Sequence, residues 1–151
     1  MPINIYVDPK LQTNIDPTRI ENAVRFTLEK EGQTDVEISI KLSDDIELRQ
    51  LNETYRSIDK TTDVLAFNQG YNDPETGLTY LGDVIISVEQ AQLQADENHQ
   101  TLDEECARLA IHGTLHLLGY DHAEPADKEA MWEKQESILE YVRLFHLEDN
   151  Q

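Results

Sequence analysis

The chain reads as an α+β fold in which a small mixed sheet is flanked by helices, in the element order βαβαββααα. Three observations carry that reading: segments of period-two alternation, segments of helical apolar spacing between and after them, and capping residues at the junctions. Its 151 residues suit one domain, residues 1–151, with a core of its own.

Each element has its own justification. Ile3-Asn4-Ile5-Tyr6-Val7 alternates apolar and polar residues and is rich in β-formers, so it reads as a strand. Asp16-Pro17 pairs an N-cap with proline at the first helical position, opening a helix that carries Ile20, Val24 and Leu28 on one face and runs toward Gly32. Val36 to Leu42 alternates strictly, with Val36, Ile38, Ile40 and Leu42 on one side, which predicts a sheet with one covered face. Asp44-Asp45-Ile46-Glu47 resembles a capping box and starts a helix through Leu48, Leu51 and Tyr55. Thr62 to Phe67 reads as a short strand, the turn-rich stretch from Tyr71 to Thr79 as a surface loop or hairpin, and Tyr80 to Ser87 as the next strand. Ser87 with Gln90, then Thr101 with Glu104, cap two further helices. A final long helix from about Ala126 to His146 turns Met131, Ile138, Leu139 and Val142 inward.

No stretch approaches the roughly 20 apolar residues that span a bilayer, and the N-terminus lacks a basic segment followed by an apolar one. A soluble protein that stays in the cytoplasm, with no membrane partner, is expected. Cys106 is the single cysteine, so no internal disulfide forms, and it reads as a small apolar filler of a helix face. The net charge of −19 argues against a general nucleic-acid binder, but it is unevenly spread. Residues 1–60 hold eight of the twelve basic residues against twelve acids, a net −4, while residues 61–151 carry −15. Any polyanion is expected to approach from the N-terminal half.

The segment Ile111-His112-Gly113-Thr114-Leu115-His116-Leu117-Leu118-Gly119-Tyr120-Asp121-His122 holds three of the five histidines within eleven residues. A helix turns once in 3.6 residues, so His112 and His116 stand one above the other on one face. Gly119 is the residue type that ends a helix in a left-handed conformation, which turns His122 back toward that face. Buried histidines of a core helix would each need a hydrogen-bond partner, and three in this register fit a shared metal ion better. Three neutral imidazoles suit zinc and leave the fourth tetrahedral position open, as in a catalytic site.

Spacing alone leaves the chemistry open. One class of zinc peptidases uses the same HxxxHxxGxxH frame, but with glutamate after the first histidine as general base. Here that position is Gly113, which disfavours peptide hydrolysis.

HGTLHLLGYDH, residues 112–122, resembles the signature of the YbeY family of bacterial and organellar endoribonucleases. The blocks Leu51 to Arg56, Thr62 to Phe67 and Leu81 to Ser87 resemble that family's other blocks in the same order, so the likeness covers most of the chain. Where the family usually has Ser-Phe-Pro the chain has Ala66-Phe67-Asn68, a departure at a strand end that bears on turn geometry rather than chemistry. The resemblance implies a zincin-like fold, one zinc ion held by His112, His116 and His122, and cleavage of single-stranded RNA in ribosomal RNA processing and ribosome quality control. It also matches the family's important arginine to Arg56, where a guanidinium can meet a phosphate bidentately. Lys60 reads as a solvated loop residue, Gly82 as a strand-shaping one, and Asp83 as a strand residue able to orient a ligand histidine.

The expected reaction is hydrolysis of an RNA phosphodiester with Arg56 neutralising developing charge, the nucleophile being water activated by the metal or the ribose 2′-hydroxyl. No side chain stands out as general base. Two other readings share the same residues. In one, the chain is a metal-stabilised ribosome-assembly factor whose acidic surface docks a basic protein of the small subunit; in the other, it is a metallopeptidase-like hydrolase with an unfamiliar base.

Overall fold

The computed structural model describes residues 1–121 and 124–149, with side chains as far as residue 144. The elements are β1 (Ile3–Val7), α1 (Pro17–Lys30), β2 (Val36–Ser43), α2 (Asp45–Arg56), β3 (Val64–Asn72), β4 (Thr79–Ser87), α3 (Val88–Glu97), α4 (Leu102–Leu117) and α5 (Pro125–Asp149). This is the expected βαβαββααα order. The caps fall where local chemistry put them: Asp16, Asp44, Ser87 and Thr101 each accept a hydrogen bond from a backbone N–H of the helix they open.

The sheet is mixed, in the order β1-β2-β4-β3. β1, β2 and β4 run parallel, while β3 pairs antiparallel with β4 as a hairpin. One face is covered by α1 and α4. There Ile38, Ile40, Leu42, Val84 and Ile86 meet Ile20, Val24 and Leu28 of α1 and Leu109 and Ala110 of α4. The opposite face is not bare, as strict alternation in β2 implied, because α2 lays Leu48 and Leu51 over Leu65 and Ile85. On its far side, α4 packs Ala107, Ile111 and Leu115 against Met131, Ile138, Leu139 and Val142 of α5. α4 is therefore held between a sheet and a helix. Ile111 and Leu115 are fully buried, and each such side chain stabilises the fold by about 1.5–3 kcal/mol.

Two details of the hairpin depart from expectation. β3 continues past Phe67 to Asn72, because Asn68 keeps the backbone N–H that proline lacks and pairs with Gly82. The connecting turn shortens to residues 73–78, and Tyr71 and Tyr80, expected near a loop, stack across the ladder with ring centroids 5.5 Å apart. Gly82 sits at the register shift with φ +146°, where a Cβ would collide with the Phe67 carbonyl oxygen. Only glycine meets both conditions.

Cys106 is fully buried on α4, and burial pushes its thiol up to about 12. The native protein is expected not to react with an aromatic disulfide reagent at neutral pH, and to titrate one thiol once unfolded. Rapid native labelling would contradict this placement. Among the described residues, no helix is long and apolar enough to cross a membrane.

Candidate metal centre

α4 begins with Thr101, whose hydroxyl accepts from the Glu104 N–H at 3.1 Å, and its first turn carries Asp103, Glu104 and Glu105 against the positive end of the helix dipole. It ends in a Schellman turn. The Tyr120 N–H reaches the Leu115 carbonyl and the Gly119 N–H the His116 carbonyl, both at 3.1 Å, with Gly119 at φ +102°. Gly119 therefore ends the helix with a positive φ, as expected, while the position of His122 after it lies outside the described residues. The turn also delivers the Tyr120 carbonyl oxygen to within 2.8 Å of His116 Nδ1. The Tyr120 ring packs against the α4–α5 core with the Lys134 ammonium 5.5 Å from its centroid, which anchors the exit.

His112 and His116 lie one turn apart, half-buried, with ring centroids 5.9 Å apart. Each Nδ1 faces an oxygen acceptor. His116 Nδ1 meets the Tyr120 carbonyl, and His112 Nδ1 lies 2.8 Å from Gln135 Oε1 on α5. An imidazole that donates from Nδ1 carries its lone pair on Nε2, the state in which histidine binds a metal. His122 lies outside the described residues, and among the described residues no group of three metal-capable side chains gathers.

Gly113 has a structural reason of its own. A Cβ there would stand 2.5 Å from Val84 Cγ1 and 2.9 Å from Val84 Cγ2, so the helix approaches β4 at this point as closely as a backbone can. A glutamate after His112 is excluded by packing as well as absent from the sequence.

Arg56 ends α2, which stops at Ser57 in a left-handed conformation, φ 58°. The buried Asn52 donates from Nδ2 to the Lys60 carbonyl oxygen at 2.9 Å and so ties the following loop back to the helix. The exposed Arg56 donates to the Ala66 carbonyl oxygen at 3.5 Å and makes no ion pair among the described residues. It lines a cleft of about 280 Å³ together with Asn52, Thr62, His112, Gly113 and His116. The elements that meet there are the end of α2, the start of β3 and the last two turns of α4. The carboxylate on the cleft wall is Asp63, whose Oδ1 accepts from the Val64 N–H at 2.8 Å and Oδ2 from Gln94 Nε2 at 3.0 Å.

Residues 7–143 match the sequence profile of the family described as Endoribonuclease YbeY. The chain belongs to the YbeY endoribonuclease family. An Endoribonuclease YbeY from Desulforamulus reducens is 45% identical over 126 residues, 80% of this chain and 82% of its own. Another from a Roseiflexus species is 40% identical over 149 residues, 94% of this chain and 93% of its own. The solution structure of a Thermotoga maritima protein matches at a TM-score of 0.65 and 29% identity, covering 97% of this chain and 93% of that one. The α+β fold with its small mixed sheet is therefore that of a solved relative, and RNA is the substrate class of the family.

One expectation needs correction. Asp83 does not orient a histidine, because β4 alternates and turns Val84, not Asp83, toward α4. Asp83 instead accepts from the Tyr80 hydroxyl at 2.5 Å and from Gln69 at 3.4 Å on the opposite face. Lys60 is exposed, in keeping with a solvated loop residue, and its carbonyl accepts from Asn52 beside the cleft. Sequence reasoning also passed over Asn52 and Gln135. The signal for both was a polar residue within the inward-facing series of an amphipathic helix, as in Met131, Gln135, Ile138, Leu139 and Val142.

Proposed function

We propose that residues 1–151 act as one metal-dependent hydrolase domain that cleaves single-stranded RNA during ribosomal RNA processing, with His112, His116 and His122 holding one zinc ion and Arg56 binding the scissile phosphate. The observation that carries this reading is that Arg56, His112 and His116 line one cleft. The donor set fits the ion. Two imidazoles whose Nδ1 protons are committed to oxygen acceptors offer Nε2 lone pairs of the kind zinc takes, and a third nitrogen completes a site with one open position. When bound, zinc supplies Lewis acidity toward a phosphoryl oxygen and lowers the pKa of water toward about 7.

The chain's own groups do the rest. Arg56 is exposed, and its guanidinium can donate two N–H groups to a phosphate and neutralise charge as the bond breaks. The RNA approaches from the N-terminal half, which carries net −4 against −15 for residues 61–151. The acidic remainder suits a basic ribosomal protein of the small subunit as a neighbour, and a cytoplasmic location suits a single buried cysteine.

Arg56→Glu tests this reading. The highly purified variant is expected to retain the zinc content and thermal transition of the parent while RNA cleavage falls by roughly a hundredfold, since a charged hydrogen bond is worth about 1.5–3 kcal/mol. Arg56→Lys keeps the charge but not the fork and should fall between the two. Undiminished cleavage by Arg56→Glu would remove Arg56 from the reaction.

A further inference from the structure

His112 and His116 are oriented by different means. His116 Nδ1 is held by a backbone carbonyl, which no substitution of a neighbouring side chain removes. His112 Nδ1 is held by a side chain from another helix, Gln135 of α5, which is buried. A glutamine amide can face a histidine with either end, as acceptor oxygen or as donor nitrogen, and the two orientations select opposite imidazole tautomers. What lies beyond Gln135 decides between them.

Gln135 Nε2 lies 3.1 Å from Glu136 Oε2. An ionised carboxylate only accepts, so the amide nitrogen faces Glu136 and the amide oxygen faces His112. Glu136 is in turn fixed by a fork from Arg108, Nε to Oε2 at 3.1 Å and Nη2 to Oε1 at 3.2 Å. Arg108 is anchored on its other side by Nη1 to Glu105 Oε2 at 2.5 Å, with Glu105 itself buried one turn up α4. Burial pushes the Glu105 carboxyl up and the Arg108 charge opposes that shift, so the guanidinium is what keeps this acidic patch together. Donation converges on Glu136: His112 donates to Gln135 and Gln135 to Glu136 from one side, and Arg108 donates to Glu136 from the other.

We propose that Gln135 is a positioning residue of the metal centre: polarised by Arg108 and Glu136, its amide oxygen holds His112 in the Nδ1–H form and so presents Nε2 to the ion. The inference rests on the reading of His112 as a ligand and deepens it, because it makes metal affinity depend on how α5 docks on α4. An acceptor at Nδ1 both fixes the ring and raises the basicity of Nε2, and losing such a partner typically weakens metal binding by about 10- to 100-fold.

Gln135→Met keeps an unbranched chain of similar volume and removes the amide. The metal-free variant is compared with the parent by nitrogen-15 shifts of the His112 ring, and zinc affinity is measured by competition with a chromophoric chelator. The parent is expected to show a protonated Nδ1 on His112; the variant is expected to lose that single tautomer and to bind zinc about 10- to 100-fold more weakly. The exchange Gln135→Glu with Glu136→Gln conserves charge and leaves an acceptor against Nδ1, so it is expected to restore both the tautomer and the affinity. Parental tautomer and affinity in Gln135→Met, or loss of both in the exchange variant, would overturn the proposal. His116→Ala in the same competition separates the two levels. If it binds zinc as the parent does, the ligand reading fails; if it loses zinc while Gln135→Met does not, only the role of Gln135 fails.

Discussion

Replacing His116 by alanine is expected to remove zinc and RNA cleavage together. A structural zinc site with four protein ligands is worth about 10–16 kcal/mol, so one ligand carries about 2.5–4 kcal/mol, and loss of one imidazole here should lower affinity roughly 10²- to 10³-fold, and cleavage with it. The substitution separates chemistry from fold. Alanine favours the helix, and the Schellman turn uses the backbone carbonyl of residue 116, which the variant keeps. The structural cost is the hydrogen bond from Nδ1 to the Tyr120 carbonyl, about 1 kcal/mol. Far-ultraviolet circular dichroism should therefore be unchanged, with a thermal transition lowered by only a few degrees. Zinc content measured beside cleavage of a single-stranded RNA gives the decision. A metal-free His116→Ala protein that still cuts RNA at the parental rate would end the metal-dependent mechanism.

What could be read from the sequence follows the range of the interactions involved. The capping aspartates, Ser87 and Thr101 were legible because a cap is a contract between residues two or three apart, and all four make the expected bond. The histidine pair and the glycine turn were legible for the same reason. The order β1-β2-β4-β3 was not, because it depends on pairings between segments dozens of residues apart, and no local pattern specifies which strand β4 enters beside. The face of Asp83 was decidable only after Val84 was known to meet α4. Asn68 shows how one missing proline extends a strand through what read as loop. Gln135 was invisible as chemistry because its partner His112 lies 23 residues away on another helix. His122, read as the third ligand, lies outside the described residues.

Gly113→Glu, which rewrites the segment as HExxH, is expected to yield an unstable protein and no peptidase. Glycine inside a helix costs about 1 kcal/mol relative to alanine, so its presence in the middle of α4 calls for a compensating contact. The contact is Val84, both of whose γ-carbons lie within 3 Å of where a Cβ would stand, so rotation about its side-chain bond exchanges one collision for the other. Val84 is itself fully buried in the core between the sheet and the helices α1 and α4. Overpacking of this kind, with a carboxylate brought into the α4–β4 contact, should cost about 2–4 kcal/mol, more than the helix propensity regained. At roughly 2–4 °C per kcal/mol for a domain of this size, a thermal melt resolves the loss readily. Adding Val84→Ala opens the space and should recover part of the stability without creating peptide hydrolysis, since the new side chain leaves the backbone toward the sheet rather than toward the cleft. A Gly113→Glu protein that melts like the parent would show that α4 can shift away from β4. One that hydrolyses peptides would show that the missing glutamate, and not the geometry of the helix against the sheet, is what separates this site from a peptidase.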